Sequence, residues 1–292
     1  MANANDRMPG DDAHGEDGAS SGASFDALSL TPPLDNPPEA QQAAAKPARR
    51  ARSTEADTRI VGQPGFVMHS YPYKETSLLV DVFTRDHGRL ALVAKGAKRP
   101  NSKLRGVLQT FQPLALDWSG RGEVRNLINA EWVGGLRPLE RAALLSGFYL
   151  NELLVKLLAR DDPHPVLFDH YVATLNELAH DEPAPIVLRK FEMALMKETG
   201  VLVNFTYCTR TGRRVDTDAI YVVDPEQGPR PAMASDNAPR VSGKTLIDMD
   251  NEDYADQPTQ VQSKFLMRYL LAHHLGGGTL NTRQILIDLM QL

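Results

Sequence analysis

Apolar and polar residues alternate in several short stretches between residues 58 and 135, and this spacing is typical of β-strands. The tripeptide Asp86-His87-Gly88 separates two stretches and suits a hairpin loop whose glycine is left-handed. Five short strands with glycine-rich turns predict a small closed barrel, either an OB-fold or an SH3-like barrel. The predicted strands cover residues 60–72, 77–83, 89–94, 107–118 and 124–132.

From residue 136 onwards the apolar positions recur with the spacing of helices. Gly200 is placed as the C-terminal cap of one helix, and Asn281 or Thr282 as the start of a last short helix through Met290. The fold class is therefore α+β with several domains: an OB-fold barrel at 58–135 is followed by a helical domain at 136–203. Helices in 257–292 are expected to pack on that domain. The longer predicted helices cover residues 138–159, 166–179, 186–199 and 261–275.

Charge separates the N-terminal segment from the rest of the chain. Residues 1–45 hold eight acidic residues, one basic residue and one aromatic residue, Phe25. Such a composition buries too little apolar surface to offset the entropy of ordering. The sequence predicts a disordered acidic tail at 1–57.

Basic residues concentrate within the predicted barrel. Seven of them lie between Arg85 and Arg105, together with one acidic residue, Asp86, which is unusual in a protein of net charge −5. This predicts a site for a polyanion, and the loops of OB-folds are where such barrels bind nucleic acid. Aromatic residues beside the cations could stack with bases. The candidate DNA-binding residues are Lys95, Lys98, Arg99, Lys103, Arg105, Arg89, Tyr73 and Trp118.

The segment 204–256 is rich in Pro, Asp, Gly and Arg, with one strand-like piece at 219–223. Cys208-Thr209-Arg210-Thr211-Gly212 looks like half of a zinc knuckle in which threonine replaces the second cysteine. Because zinc requires thiolate or imidazole ligands, we expect a degenerate, metal-free segment and no cofactor. The single cysteine, Cys208, excludes an internal disulfide.

Several functional classes lack their signatures in this sequence. It contains no phosphate-binding G-x-x-x-x-G-K-[ST], no G-x-S-x-G and no H-E-x-x-H, so we expect no enzyme activity. No stretch approaches the roughly 18 apolar residues needed to span a bilayer. The first residues are acidic and lack an apolar signal region, so we expect a cytoplasmic protein without membrane contact.

Three motifs, in this order, resemble the RecO family of bacterial DNA repair and recombination mediators. Tyr73-x-Glu75 is followed by LLVDVFTRDHGRLALVAKGAKRPNSKLRGVLQTFQPL. Leu188-Arg189-Lys190-Phe191-Glu192 leads to Gly200, and Cys208-x-x-Thr211-Gly212 comes last. The resemblance covers about residues 58–292. The acidic tail lies outside the family pattern, and the knuckle has lost its ligands.

The resemblance implies a role in DNA repair and homologous recombination through the RecF pathway. Such proteins bind single- and double-stranded DNA, anneal complementary strands and help load RecA on strands coated by single-stranded DNA-binding protein (SSB). The implied partners are RecR and the C-terminal tail of SSB, and the implied location is the cytoplasm at the nucleoid. For that acidic tail, which ends in an apolar residue, the candidate contacts are Arg137, Arg141 and Leu144. The alternative is a non-enzymatic regulatory module whose barrel binds a protein and has no DNA affinity.

Overall fold

The computed structural model describes residues 59–278, 280–282 and 284–285. The predicted acidic tail at 1–57 and most of the predicted last helix lie outside the described residues. The first part of the described chain forms five strands and a one-turn helix. These are β1 (Ile60–Tyr73), β2 (Ser77–Thr84), β3 (Gly88–Ala94), α1 (Lys103–Val107), β4 (Leu114–Ser119) and β5 (Val124–Trp132).

The five strands close into a barrel in the order β1-β2-β3-β5-β4. Long β1 pairs with both β2 and β4, and β3 and β5 form the single parallel pair of this barrel. The strand order, with α1 between the third and fourth strands, is that of an OB-fold. This observation confirms the predicted barrel and decides against the SH3-like alternative.

Only the second half of the predicted strand at 107–118 forms a strand, β4. After α1 the chain touches β1 through an isolated bridge from Thr110 to Val67, and regular strand pairing begins only at Leu114, where β4 starts. Between them Phe111 has a positive φ of 64° and is 4% exposed, because its ring packs against Gly147 of the first long helix. A Cβ at Gly147 would lie 2.9 Å from that ring. Tertiary packing thus overrides the strand propensity of this segment.

The second part of the chain contains most of the helices. The predicted helices are confirmed within a few residues at each end, and the segment 204–256 contains more regular structure than expected. The predicted strand at 219–223 is confirmed as the central strand of a three-stranded sheet. The two outer strands and a helix were not predicted, because prolines at the outer strands obscure the strand signal. The elements are α2 (Arg141–Leu157), α3 (Pro165–Ala179), α4 (Ala184–Glu198), β6 (Ile220–Asp224), β7 (Gly228–Pro231), β8 (Arg240–Ser242), α5 (Gly243–Asp250) and α6 (Gln257–His274).

The barrel is fixed to the helices by an aromatic contact. Phe66 and Phe83, on its outer face, meet Phe168 and Tyr171 of α3 at ring-centroid distances of 5.2 to 6.0 Å. The Tyr171 hydroxyl donates to Asn151 Oδ1 over 2.6 Å, and Asn151 Nδ2 donates to the Met68 carbonyl over 3.0 Å. Because these groups are buried, the hydrogen bonds fix the direction in which β1 leaves the interface.

Candidate nucleic-acid interface

The basic cluster predicted from the sequence divides into two groups. Its first two arginines serve the interface between the barrel and the helices. Arg85 donates to both carboxylate oxygens of Asp169 on α3, over 3.1 and 3.0 Å. This hydrogen-bonded pairing raises the pKa of Arg85 and lowers the pKa of Asp169.

Arg89 is the first correction to the predicted site. Its side chain is only 12% exposed and lies 3.2 Å from the buried carboxylate of Asp81. It also donates to the Leu158 carbonyl at the end of α2, over 3.1 and 3.3 Å. Arg89 therefore joins β3 to the helical domain and is not available to phosphates, so its assignment to DNA binding is wrong.

The other five predicted cations form a different group, which we call the basic loop, residues 95–105. All five side chains are exposed, and none forms an ion pair with a carboxylate of the residues that the structure describes. The segment contains no acidic residue. Within the described part of the chain, its five cations are therefore open to solvent. The five are Lys95, Lys98, Arg99, Lys103 and Arg105.

The backbone of the basic loop is held by a run of short-range hydrogen bonds. The amides of Arg99, Ser102 and Arg105 each donate to a carbonyl three residues earlier, over 3.1 to 3.2 Å. Ala97 is fully buried in the barrel core and anchors the loop, while Gly96 supplies a φ of 70°. The cations are thus presented from a fixed backbone, which reduces the entropy lost when they bind a polyanion.

The turn between β1 and β2 lies directly beside the basic loop. The Lys98 amide donates to the Thr76 carbonyl of that turn over 2.9 Å. The turn carries predicted Tyr73, which is 38% exposed, and Lys74, whose Nζ lies 5.3 Å from the Tyr73 ring centroid. Lys74 was missed in the sequence analysis because it stands outside the basic cluster along the chain. Exposed Glu75 is the acidic residue of the same turn.

Trp118 is the second correction. It is 1% exposed in the barrel core, with its ring 5.3 Å from that of His87 at an angle of 86°. No base can reach it, so its assignment as a stacking residue is wrong. The period-two pattern of Leu114, Leu116 and Trp118 was the available signal, because all three point into the barrel.

Comparison with known proteins decides the family. The model described as recombination protein O N terminal matches residues 59–136, and the one described as recombination protein O C terminal matches residues 139–283. A DNA repair protein RecO from Ralstonia nicotianae is 58% identical over 252 residues, 86% of this chain and 92% of that protein. One from Burkholderia pseudomallei is 57% identical over 263 residues, 89% of this chain and 95% of that protein. The chain belongs to the RecO family of DNA repair proteins.

In this RecO-family chain the segment 208–213 is closed by backbone hydrogen bonds. The Cys208 amide donates to the Arg213 carbonyl, and the Gly212 amide donates to the Cys208 carbonyl, each over 2.8 Å. Cys208 itself is 2% exposed. Within the described residues no group of three or more His, Cys, Asp or Glu side chains could hold a metal ion. One thiol and two threonines do not fit structural zinc.

The residues suggested for a partner peptide lie just before α2 and in its first turn. Arg137 and Arg141 are exposed and Leu144 is 36% exposed, but none of the three lines either of the two cavities beside α2 in the described chain. An adjacent face of α2 lines a cavity. We call this cavity of about 280 Å³ the apolar pocket. Its walls include Leu145, Tyr149, Leu188, Leu271 and Leu275, and its basic residues are Arg189, Lys264 and Arg268.

A buried carboxylate orients one of those basic residues. Glu192 is fully buried, accepts a hydrogen bond from the Tyr149 hydroxyl over 2.6 Å, and pairs with Arg189. Burial raises the pKa of Glu192, although Arg189 and Tyr149 both favour its charged form. Burial also raises the pKa of Tyr149. In this RecO-family protein the Leu188-to-Glu192 motif therefore builds one wall of the apolar pocket.

None of the helices in the described part of the chain is both long and apolar enough to cross a membrane.

Proposed function

We propose that this protein binds single- and double-stranded DNA through the basic loop and anneals complementary strands without breaking bonds. The observation that supports this most directly is the set of five exposed cations on an anchored loop, none of them ion-paired with a described carboxylate. Annealing brings two polyanions together, and fixed cations between them lower their mutual repulsion. Loading of RecA, partnership with RecR and location at the nucleoid are proposed on family membership alone.

The electrostatic contribution has a measurable size. If four to six phosphates are neutralised, the slope of log affinity against log salt on single strands is about −3 to −4. The same cations contact phosphates of any sequence, so binding should not depend on base composition.

Charge reversal tests the proposal. The double variant Lys98→Glu, Arg99→Glu is compared with a control of equal charge change, Lys190→Glu, Lys197→Glu, on exposed positions of α4. Fluorescence anisotropy with a labelled oligonucleotide at two salt concentrations measures affinity, and a strand-annealing assay measures function. We expect the loop variant to lose both and the control to retain both. Wild-type protein without salt-dependent affinity would instead favour the regulatory-module alternative.

We also propose that the apolar pocket receives the C-terminal tail of SSB. An acidic peptide that ends in an apolar residue and a carboxylate needs an apolar cavity with basic side chains at its rim, and the pocket combines both. Exposed Lys264 offers a test. Lys264→Glu should weaken binding of a synthetic tail peptide, and amidation of the peptide's C-terminus should do the same. Loss through Arg137→Glu, Arg141→Glu alone would place the tail at the start of α2.

A further inference from the structure

Three aromatic rings lie on one face of β1. His69, Tyr71 and Tyr73 occupy every second position of β1, and alternate residues of a strand point to the same face. All three are exposed, Tyr71 by 47% and Tyr73 by 38%. The His69 and Tyr71 rings meet edge to face at 4.2 Å. We call these three residues the aromatic ladder.

The aromatic ladder connects two features of the surface. Tyr73 lies at the turn whose Thr76 carbonyl accepts from Lys98, so this end adjoins the basic loop. At the other end, His69 and Tyr71 line a cleft of about 470 Å³ together with Phe148 of α2. A strand held by its phosphates at the basic loop can therefore continue along β1 towards this cleft.

The exposed rings favour an unpaired strand over a duplex. The His69 and Tyr71 rings are in contact and form one aromatic surface, and Tyr73 follows two positions further along β1, about 6.6 to 6.8 Å by strand geometry. A single strand can place its bases on these rings. In a duplex the bases are stacked on one another and paired, so their faces are not accessible.

We propose that the aromatic ladder stacks with unpaired bases and makes the protein prefer single strands to duplex. The proposal rests on the proposed DNA-binding function, in which the cations contact phosphates of both forms. Base–aromatic stacking tolerates any sequence because every base has an accessible face once it is unpaired. Among other aromatic residues of the barrel, Phe83, Phe111 and Trp118 are buried, and exposed Trp132 lies at the end of β5, paired with Leu114 and not on β1.

The test compares two forms of DNA. The variant Tyr71→Ala, Tyr73→Ala is measured by anisotropy against a labelled single strand and a hairpin duplex at the same salt concentration. We expect single-strand affinity to fall by about 30-fold or more, from the cost of removing two stacked rings, and duplex affinity to change by less than about twofold. Tyr71→Phe, Tyr73→Phe keeps both rings and should retain single-strand affinity. Tyr207→Ala, a 47% exposed tyrosine outside the barrel, serves as the control.

Each outcome decides between hypotheses. If the alanine variant loses affinity equally for single strand and duplex, or loses affinity for neither, the proposed role of the aromatic ladder is wrong. The second of these results would indicate a surface for a protein partner. If the loop reversal abolishes binding while the tyrosine variants bind normally, the ladder fails and the proposed function stands. If wild-type protein shows no salt-dependent affinity, both fail. A strand carrying a fluorescent purine analogue, bound to wild-type protein, reports stacking even if the alanine variant does not fold.

Discussion

The pairing of Arg89 with Asp81 gives a prediction that separates stability from DNA binding. Replacing Arg89 by Met keeps the aliphatic part of the side chain and removes the charge. Among the described basic residues it leaves Asp81, which is 6% exposed, with Arg160, whose Nη2 lies 3.8 Å away. It also removes the donor to the Leu158 carbonyl.

The cost follows from these contacts. Removing one partner of a buried ion pair costs about 3 to 5 kcal/mol. Because Arg160 remains and Arg89 is partly exposed, we expect the lower end, about 3 kcal/mol. For a chain of this size that lowers the melting temperature by about 6 to 12 °C. The salt slope for DNA should stay unchanged, since the basic loop is intact.

Urea unfolding measures the stability of the variant, and fluorescence anisotropy on the same protein measures the salt slope of DNA binding. The double variant Arg89→Met, Asp81→Asn removes both charges and should recover about 2 kcal/mol of the loss, the coupling expected between residues in contact. The argument is refuted if Arg89→Met unfolds like wild type while its salt slope flattens. That result would return Arg89 to the DNA site.

Three further outcomes follow from the structure. Lys98→Ala should reduce the magnitude of the single-strand salt slope by about 0.7, one phosphate contact, whereas Lys190→Ala should not change it. The pKa of Glu192 is raised by burial, so the wild-type protein loses stability as pH rises above the ordinary value of 4.5. The melting temperature of Glu192→Gln, measured relative to that of wild type, should therefore increase between pH 4.5 and 8. A difference that stays constant with pH would contradict this. Acrylamide should quench Trp132, which is 62% exposed, but not Trp118, so Trp132→Phe should remove the quenchable fluorescence.

The barrel strands and helices were predictable because their apolar spacing is regular. The hairpin at Asp86-His87-Gly88 was identified from residue types alone, and Gly88 has the expected positive φ of 66°. The segment around Phe111 was not, since a long-range contact with Gly147 draws it out of the barrel. Local pattern carries no information about such a contact.

Within the candidate site, too, the sequence predicts where the charges lie but not which of them the fold pairs. By composition Arg85, Arg89 and the cations of the basic loop are alike, and they lie within 21 residues of one another. They differ in what the fold places opposite them. Asp81 and Asp169 come from β2 and α3, and they neutralise the two arginines next to the hairpin. No described carboxylate pairs with the basic loop. Counting charges along the sequence locates a polyanion site to within a segment, whereas the residues that can bind phosphate are those left unpaired once the barrel has docked on its helices. For this reason mutating an arginine at the hairpin should lower the stability of the contact between barrel and helices. Mutating a lysine ten residues later should lower the affinity for DNA.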